Sequence, residues 1–431
     1  MNIKFLVRYF LERRGTVWSV RGLINSIVLW FKQTHIKKEI LYYCHDVHRF
    51  VIVEGKLYSP LIDVLHQHTG EDRGLSCVAP FSKLISANCF IDVKNYNLPV
   101  LIGLLMRLSR YRSINLETIE SDPVIYAYRY IFKKVECRVV VAVQPSIEMC
   151  IAAKQQGIRI FDMQHGVIGS GGYYSLNRRS KFSQAGWPDA VLCWDSISRE
   201  RILSESGGCV RAVLVGHPAF ATDEGRKLLH FPGVTVSPNG DYSLIVLVSL
   251  TWHGFGGRFE DKNYEVLGIP VELVQLIKRM KGVFFRIRLH PVQSRYSRLK
   301  VMSMLGRIFA DCSNVNFLDF NDCYVGAAFA GCGGHITVSS ATSIEAWQLR
   351  IKTLLVEGYA PIRAEVVESY FSDYIRQNAM TRIDRSSLLS LTESELLHHF
   401  NDRVENDVHT HQVRIESGIL HKLLLEGDAR C

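Results

Sequence analysis

The feature that most constrains the fold of this chain is a short apolar run that stops abruptly at a His-Gly pair. The run over residues 158–163 is followed by Gln164, His165 and Gly166, and a glycine-rich stretch continues to residue 172. A strand buried in a parallel sheet has this pattern, and open α/β sheets bind ligands where such strands end. Residues 137–143 and 146–156 upstream predict a strand and a helix, which completes a β-α-β unit. The sequence therefore predicts a parallel sheet with polar groups at its carboxyl edge.

Two later segments repeat the pattern of an apolar run that ends in polar residues. Residues 284–289 run into His290-Pro291, and residues 334–338 run into Ser339, Ser340, Ala341 and Thr342. Because the carboxyl ends of parallel strands share one edge of a sheet, these polar strand ends predict one composite site.

Length and composition indicate two α/β domains. A chain of 431 residues exceeds what one hydrophobic core usually supports, and its composition, 47% hydrophobic and 22% charged, is that of a globular protein. We expect two α/β domains with a cleft between them. The predicted ranges are a basic amphipathic segment over 1–39, a first domain over 40–220, a second domain over 241–384 and C-terminal helices over 385–431, with the linker over 221–240.

Charge and cysteine usage exclude several classes of protein. The formal charge of +9 permits an anionic partner such as nucleotide phosphates, but no recognition helix, zinc finger or stacking motif indicates nucleic acid. The eleven cysteines form no C-x-x-C pair, so neither a disulfide framework nor a structural zinc site is predicted. No cleavable signal or apolar run of about 20 residues is present, which predicts a cytoplasmic protein.

Residues 1–39 are unusually basic and allow two interpretations. Eight Lys and Arg side chains are offset only by Glu12 and Glu39, and they flank apolar residues such as Ile27 and Trp30. A basic amphipathic helix of this kind can lie on anionic lipid, which would place the protein on the inner face of the cytoplasmic membrane. The alternative is a helix that packs on the first domain with its charges solvated.

Alternating basic residues on one strand predict a phosphate-binding face. Arg286, Arg288 and His290 recur at period two, so their side chains share one face and Pro291 ends the strand. Two guanidinium groups and a protonated imidazole can neutralise a diphosphate leaving group. The alternative is a solvated basic strand edge.

A cluster of hydroxyls predicts a second part of the same anion site. Ser339, Ser340 and Thr342 end a strand and begin a helix, where backbone N–H groups and hydroxyls converge. Helix capping alone is the alternative, and the spacing of a P-loop is absent. Glu345 follows on the same helix and is a candidate for a ribose hydroxyl, with surface solvation as the simpler explanation.

His165 is the candidate general base. An imidazole that titrates near neutrality suits proton removal from an acceptor hydroxyl, and Gly166 permits close approach of a ligand. Gln164 and Gly166 are expected on the acceptor side, although a histidine held by the turn is the alternative. Asp46, at the end of an earlier predicted strand, is a rival base, and His217-Pro218 is expected to be structural.

The order of these motifs resembles that of bacterial surface-polysaccharide transferases of GT-B fold. The series runs from Gln164-His165-Gly166 through Gly216-His217-Pro218 and His290-Pro291 to Ser339-Ser340-Ala341-Thr342, within residues 137–360. It is similar to sialyltransferases and capsule Kdo transferases, and also to CDP-glycerol glycerophosphotransferases of teichoic acid assembly. The resemblance implies a GT-B-like architecture of two Rossmann-like domains facing a central cleft, with the acceptor domain over 40–220 and the nucleotide-donor domain over 241–384. It also implies that His290 and the hydroxyl cluster hold the donor phosphate while His165 faces the acceptor.

The predicted function is transfer of a sugar from a nucleotide-activated donor, CMP-linked or other, to a surface polysaccharide or lipid-linked glycan of capsule or lipopolysaccharide. No Asp-x-Asp pair ends a predicted strand, so we expect no metal and no other cofactor. The alternatives are a CDP-glycerol-type polyol-phosphate transferase and a non-catalytic nucleotide- or glycan-binding subunit of a capsule assembly complex.

Overall fold

The computed structural model describes residues 36–45, 48–78, 88–109, 122–168, 184–229, 241–251, 268–317, 321–357 and 364–401, together with Leu423. Asp46, the glycines after residue 168 and residues 1–35 of the predicted basic segment lie outside the described residues. The chain divides into two compact units, the first up to Gly225 and the second from Arg226 to Gln412, and Leu423 belongs to the first.

The first unit is built on a parallel seven-stranded sheet in the order β5-β4-β1-β6-β7-β8-β9. Its strands are β1 (Ile40–Cys44), β4 (Gly74–Val78), β5 (Val93–Lys94), β6 (Val139–Ala142), β7 (Arg159–Met163), β8 (Ala190–Cys193) and β9 (Arg211–Leu214). A separate antiparallel hairpin is formed by β2 (Val51–Val53) and β3 (Lys56–Tyr58). The helices are α1 (Ile62–Thr69), α2 (Asn97–Ser109), α3 (Pro123–Val135), α4 (Ile147–Gln155), α5 (Ser196–Glu205), α6 (Pro218–Ala221) and α7 (Asp223–Arg226).

Local sequence signals account for the β6-α4-β7 unit that the sequence predicts. The Ser146 hydroxyl accepts from the N–H of Met149 and caps α4, and Gly157 after the helix has a φ of +67°, which glycine adopts without strain. The strands read as continuous apolar runs because both faces of the sheet are covered, and Val140, Ala142 and Ile160 lie in the core.

The second unit contains a parallel six-stranded sheet in the order β12-β11-β10-β13-β14-β15. Its strands are β10 (Leu244–Ser249), β11 (Val283–Arg288), β12 (Val315–Asn316), β13 (Gly334–Thr337), β14 (Thr353–Val356) and β15 (Met380–Ile383). The helices are α8 (Val271–Arg279), α9 (Pro291–Tyr296), α10 (Arg298–Ile308), α11 (Val325–Ala328), α12 (Thr342–Gln348), α13 (Ala364–Arg376), α14 (Arg385–Ser390) and α15 (Glu393–Asn401). Leu388 of α14 and Leu396 and Phe400 of α15 belong to the core of this unit.

The two sheets share one strand order. Counted along the chain, each runs 3-2-1-4-5-6, and the first sheet adds a seventh strand. This is the doubly wound order, in which the chain reverses direction across the sheet between strands 1 and 4 and leaves a crevice at their carboxyl ends. The predicted α/β class with Rossmann-like parallel sheets is confirmed. Within the described part of the chain, no helix is both long and apolar enough to cross a bilayer.

Candidate functional site

In the second unit, two groups of predicted donor residues follow the strands on either side of β10, the first strand of this sheet. His290 follows β11 and Ser339 lies after β13, while Thr251, which the sequence did not single out, follows β10. The backbones are in register there, since Ser249 pairs with both Arg288 and Thr337, and the Thr337 hydroxyl donates to the Ser249 carbonyl at 2.9 Å. These strand ends therefore meet at the crevice in which doubly wound sheets bind ligands.

His290 is held by the helix that it begins. Its Nδ1 accepts from the backbone N–H of Val292 at 3.2 Å, while the side chain of Gln293 accepts from the backbone N–H of His290 at 2.9 Å, which completes a capping box. An Nδ1 that accepts carries no hydrogen, so this geometry selects the neutral tautomer with hydrogen on Nε2. His290 is thus oriented as a neutral donor, where the sequence suggested a protonated imidazole.

His217 caps helix α6 of the first unit as His290 caps α9 of the second, but its side chain is buried. Its Nδ1 accepts from the N–H of Ala219 at 3.2 Å, and its ring lies 4.3 Å from that of Trp194 and 5.0 Å from that of Phe220. Burial lowers the pKa of His217 to about 3. These contacts give His217 the structural role that the sequence suggested for it.

Arg286 and Arg288 do not form an exposed cationic edge. Both are buried, and they donate to backbone carbonyls of the segment before β13: Arg286 Nη1 to Ala328 at 3.1 Å and Arg288 Nη2 to Cys323 at 2.9 Å. The two arginines do lie on one face of the strand, as their spacing predicts. Because a strand of a buried parallel sheet is covered on both faces, that face contacts other segments of the protein and not solvent. Their binding to a donor phosphate stays a prediction. In the structure they stabilise the segment before β13 through these hydrogen bonds.

The hydroxyl cluster after β13 is a tightly bonded turn. The Ser340 hydroxyl donates to Thr342 Oγ1 at 2.9 Å, and the Ser343 hydroxyl donates to the Ser340 carbonyl at 2.7 Å. Ser339 and Ser340 are half-buried, whereas Thr342 is buried. The turn therefore holds two partly exposed serines in fixed positions at the carboxyl end of β13.

Glu345 is buried, contrary to the expectation of a solvated carboxylate. It accepts from the hydroxyl of Tyr324 at 2.8 Å. Burial raises the pKa of Glu345 to about 7, against the opposing effects of the Tyr324 hydrogen bond and the charge of Arg288. A carboxyl with a pKa near neutrality beside a predicted ligand crevice is a candidate functional group. Tyr324 was missed because the sequence between β12 and β13 shows no motif that would single it out.

The first unit gathers three histidines at the carboxyl edge of its own sheet. His45 and His48 follow β1 and His165 follows β7; the ring of His48 lies 5.4 Å from that of His165 and 6.4 Å from that of His45. Burial, and secondarily the neighbouring histidines, lowers the pKa of His165 to about 4 and that of His48 well below its ordinary value. His165 is therefore neutral at pH 7, but a pKa of about 4 makes it a weaker base than the imidazole titrating near neutrality that the sequence suggested.

No motif in the sequence singles out His45 or His48. Only the strand order shows that β1 is the first strand of the sheet, with its end at the reversal point beside β6. The rival base Asp46 belongs to the same loop but lies outside the described residues.

Gln164 holds the His165 loop in place and does not face solvent. Its side chain is buried, and Nε2 donates to the Gly166 carbonyl at 2.9 Å and to the Ser198 hydroxyl at 2.8 Å, while Oε1 accepts from the N–H of Trp194 at 2.7 Å. All these bonds are internal, so the expected contact of Gln164 with an acceptor is replaced by a supporting role. Gly166 is half-buried in the loop, and its acceptor-side role stays a prediction.

The chemistry available in the two units is different. The second unit supplies neutral donors and buried positive charge at a reversal point, a combination suited to phosphate. The first supplies a cluster of neutral imidazoles at the carboxyl edge of its sheet. Among the residues that the structure describes, no group of three or more His, Cys, Asp or Glu side chains is placed to hold a metal ion.

Comparison with known proteins relates the chain to others by structure. No protein-family model matches it, and no curated protein matches its sequence. It is similar to the structure of UDP-GlcNAc 2-epimerase from Neisseria meningitidis bound to UDP-GlcNAc, with 14% identity, a TM-score of 0.53 and coverage of 90% of this chain and 100% of that one. A putative UDP-N-acetylglucosamine 2-epimerase from Listeria monocytogenes gives 13% identity, a TM-score of 0.54 and coverage of 91% and 98%.

A polymerase of the bacterial surface matches over a similar extent. The wall teichoic acid polymerase TagF has 13% identity with this chain and a TM-score of 0.52, with coverage of 98% of this chain and 96% of that one. Epimerases and a polymerase thus share the architecture. At such identities the likeness establishes the fold, and these comparisons assign the chain a GT-B-like fold of Rossmann-like parallel sheets.

Proposed function

We propose that the chain is a glycosyltransferase that moves a sugar from a nucleotide-activated donor to a surface polysaccharide or a lipid-linked glycan. The observation that carries this proposal is that His290 follows β11 while Ser339 and Ser340 follow β13, the two strands on either side of β10, at the carboxyl edge of the second sheet. Neutral N–H and O–H donors at these strand ends, with Arg288 buried at the end of β11, form a suitable setting for the charge that develops on a leaving phosphate.

In this proposal the first unit handles the acceptor. His165 accepts the proton of the acceptor hydroxyl as its oxygen bonds to the anomeric carbon, and the bond between that carbon and the donor phosphate breaks. The lowered pKa leaves the imidazole unprotonated at pH 7 and also makes it a weaker base than a free imidazole. Gln164 orients the loop through three internal hydrogen bonds, so we assign it a positioning role.

A polyol-phosphate transferase is the second candidate. The order of the His-Gly and His-Pro motifs and the match to TagF, a wall teichoic acid polymerase, favour it. The reaction would then break the bond between the two donor phosphates, and the same donors at His290 and Ser340 would stabilise the nucleotide phosphate. Sugar transfer is preferred because the motif series is also similar to that of sialyl and Kdo transferases.

The decisive experiment is a panel of donors tested by calorimetry and by product formation. CMP-linked sugars, UDP-GlcNAc and CDP-glycerol are offered with and without glycan acceptors. A saturating nucleotide at 100 times its Kd adds about 2.7 kcal/mol to the free energy of unfolding, so thermal shift screens the panel first. Product from a nucleotide-sugar with acceptor supports the proposal, product from CDP-glycerol supports the second candidate, and epimerised sugar without acceptor refutes both. Binding without turnover identifies a non-catalytic subunit.

A pair of matched variants tests the donor site. His290→Asn keeps a side-chain oxygen for the Val292 N–H but removes the imidazole N–H, so donor affinity and turnover should fall while the helix cap survives. The expected loss of turnover is on the order of 10²–10³-fold. His217→Asn, at the equivalent cap of the first unit, should instead lower stability through lost ring contacts and leave donor affinity unchanged. Equal donor affinity in wild type and His290→Asn would remove His290 from the site.

A further inference from the structure

Helices α2 and α3 of the first unit expose a concentrated apolar surface. Ile102, Leu105 and Met106 on α2 and Tyr126 and Tyr130 on α3 are between 42% and 53% exposed. Single exposed hydrophobic side chains are common, whereas a contiguous apolar patch of a few hundred Å² usually marks an interaction site. These five residues are called the α2–α3 face below.

The α2–α3 face includes a groove between the two helices. The helices approach closely because α2 carries Gly103, where a Cβ would lie 2.8 Å from the carbonyl oxygen of Pro123. The groove has a volume of about 330 Å³, and apart from two tyrosines the residues around it are Leu, Ile, Met, Pro, Ala or Gly. A surface that is both apolar and grooved can receive hydrocarbon.

The charged residues that α2 and α3 themselves carry are all basic. Neither helix contains Asp or Glu, and α3 carries Arg129, Lys133 and Lys134 in its later turns. Of the carboxylates described beside these helices, Asp122 and Glu148 pair with Arg107 at 2.7 Å and 2.8 Å, and Glu136 pairs with Lys37 at 3.6 Å. The face is therefore apolar with a cationic margin.

This charge pattern selects one occupant. Two copies of the face brought together would place the cations of α3 near each other with no carboxylate on either described helix to pair with them, and protein interfaces are depleted in lysine. Tyrosines and lysines beside exposed aliphatic side chains instead fit the boundary between lipid headgroups and acyl chains, where rings lie at the interface and ammonium groups reach phosphates.

We propose that the α2–α3 face docks on the surface of a bilayer that contains anionic lipid. Ile102, Met106 and the two tyrosines enter the headgroup region, and Lys133 contacts lipid phosphate. The chain enters the first unit next to this face, because the backbone N–H of Lys38 donates to the Val135 carbonyl at the end of α3. Residues 1–35, which precede it, contain six Lys or Arg and one Glu, so further positive charge lies close in sequence.

Vesicle sedimentation with the full chain tests the proposal without donor or acceptor. Wild type should bind vesicles of phosphatidylglycerol mixed with phosphatidylcholine, bind vesicles of phosphatidylcholine alone more weakly, and dissociate as salt screens the charges. Ile102→Gln with Tyr130→Gln should lower the partition coefficient roughly tenfold or more, because both apolar side chains leave the interface. Leu299→Gln, at an 87% exposed leucine of α10, is the matched control and should bind like wild type.

The alternatives give different results. Lys133→Gln should weaken binding to anionic vesicles only, which separates the charge contribution from the apolar one. Wild-type binding by the double variant, with unchanged thermal unfolding, overturns the proposal and leaves residues 1–35 as the membrane contact. A second result also overturns the proposal: the wild type does not bind vesicles and is a dimer, and the double variant is a monomer. The face would then be a contact between two copies of the chain.

Discussion

Replacement of Glu345 by glutamine should change how stability depends on pH. The Glu345 carboxyl is buried beside Tyr324, and its pKa rises from 4.5 to about 7 on folding. The folded state therefore holds a proton that the unfolded chain loses between these two pH values. Stability contributed by this proton is present below pH 4.5 and is lost as pH rises through 7.

The size of the effect follows from the shift. One pKa unit corresponds to about 1.4 kcal/mol, so the wild type should lose about 3 kcal/mol between pH 4.5 and pH 8 through this group. Glutamine is neutral at every pH and its carbonyl can still accept from Tyr324. The free energy of unfolding of Glu345→Gln minus that of wild type should therefore rise by about 3 kcal/mol over this range, or about 6–12 °C in Tm for a unit of this size.

Scanning calorimetry of both proteins at pH values between 5 and 8 measures the difference. Buried neutral histidines such as His335, whose pKa burial lowers to about 3, have the opposite pH dependence, but they are common to both proteins and cancel. Tyr324→Phe is the control, because loss of its hydrogen bond should raise the pKa of Glu345 further and extend the decline above pH 7. A Tm difference that does not vary with pH would show that Glu345 is ionised in the folded state and refute the reasoning.

Two further outcomes concern the first unit. His165→Asn should strongly lower the rate of transfer, because asparagine keeps a hydrogen bond but has no basicity, while donor affinity measured by calorimetry stays near that of wild type. If donor affinity falls together with the rate, His165 belongs to the donor site. If neither changes, Asp46 becomes the preferred base. Gln164→Leu should lower the free energy of unfolding by about 3 kcal/mol, since it leaves the Trp194 N–H and other interior groups without their hydrogen-bond partner. Thermal unfolding measures this change. An unchanged Tm would mean that the hydrogen bonds of Gln164 make no net contribution to stability.

Parallel strands and their polar ends could be read from the sequence because their signals are local. Apolar runs such as residues 158–163 and 284–289, with a cap at Ser146 and a break at Gly157, depend on neighbours in the chain and appear as β7, β11 and α4 in the structure. The same local signals located His165, His290 and Ser339 at strand ends. Which strand lies beside which is not local, so the sequence did not single out His45, His48 or Tyr324.

The α/β class, the parallel strands and the positions of the strand-end motifs were determined by the sequence alone, since periodicity and turn residues act over a few positions. Only the tertiary structure decided which of the polar side chains are exposed. Arg286 and Arg288 alternate as a surface edge would, yet the segment before β13 packs over their side of the strand and buries both side chains. Glu345 and Gln164 are buried for the same reason. Burial depends on how segments that are distant in the sequence pack together, so the pattern within one segment does not predict it.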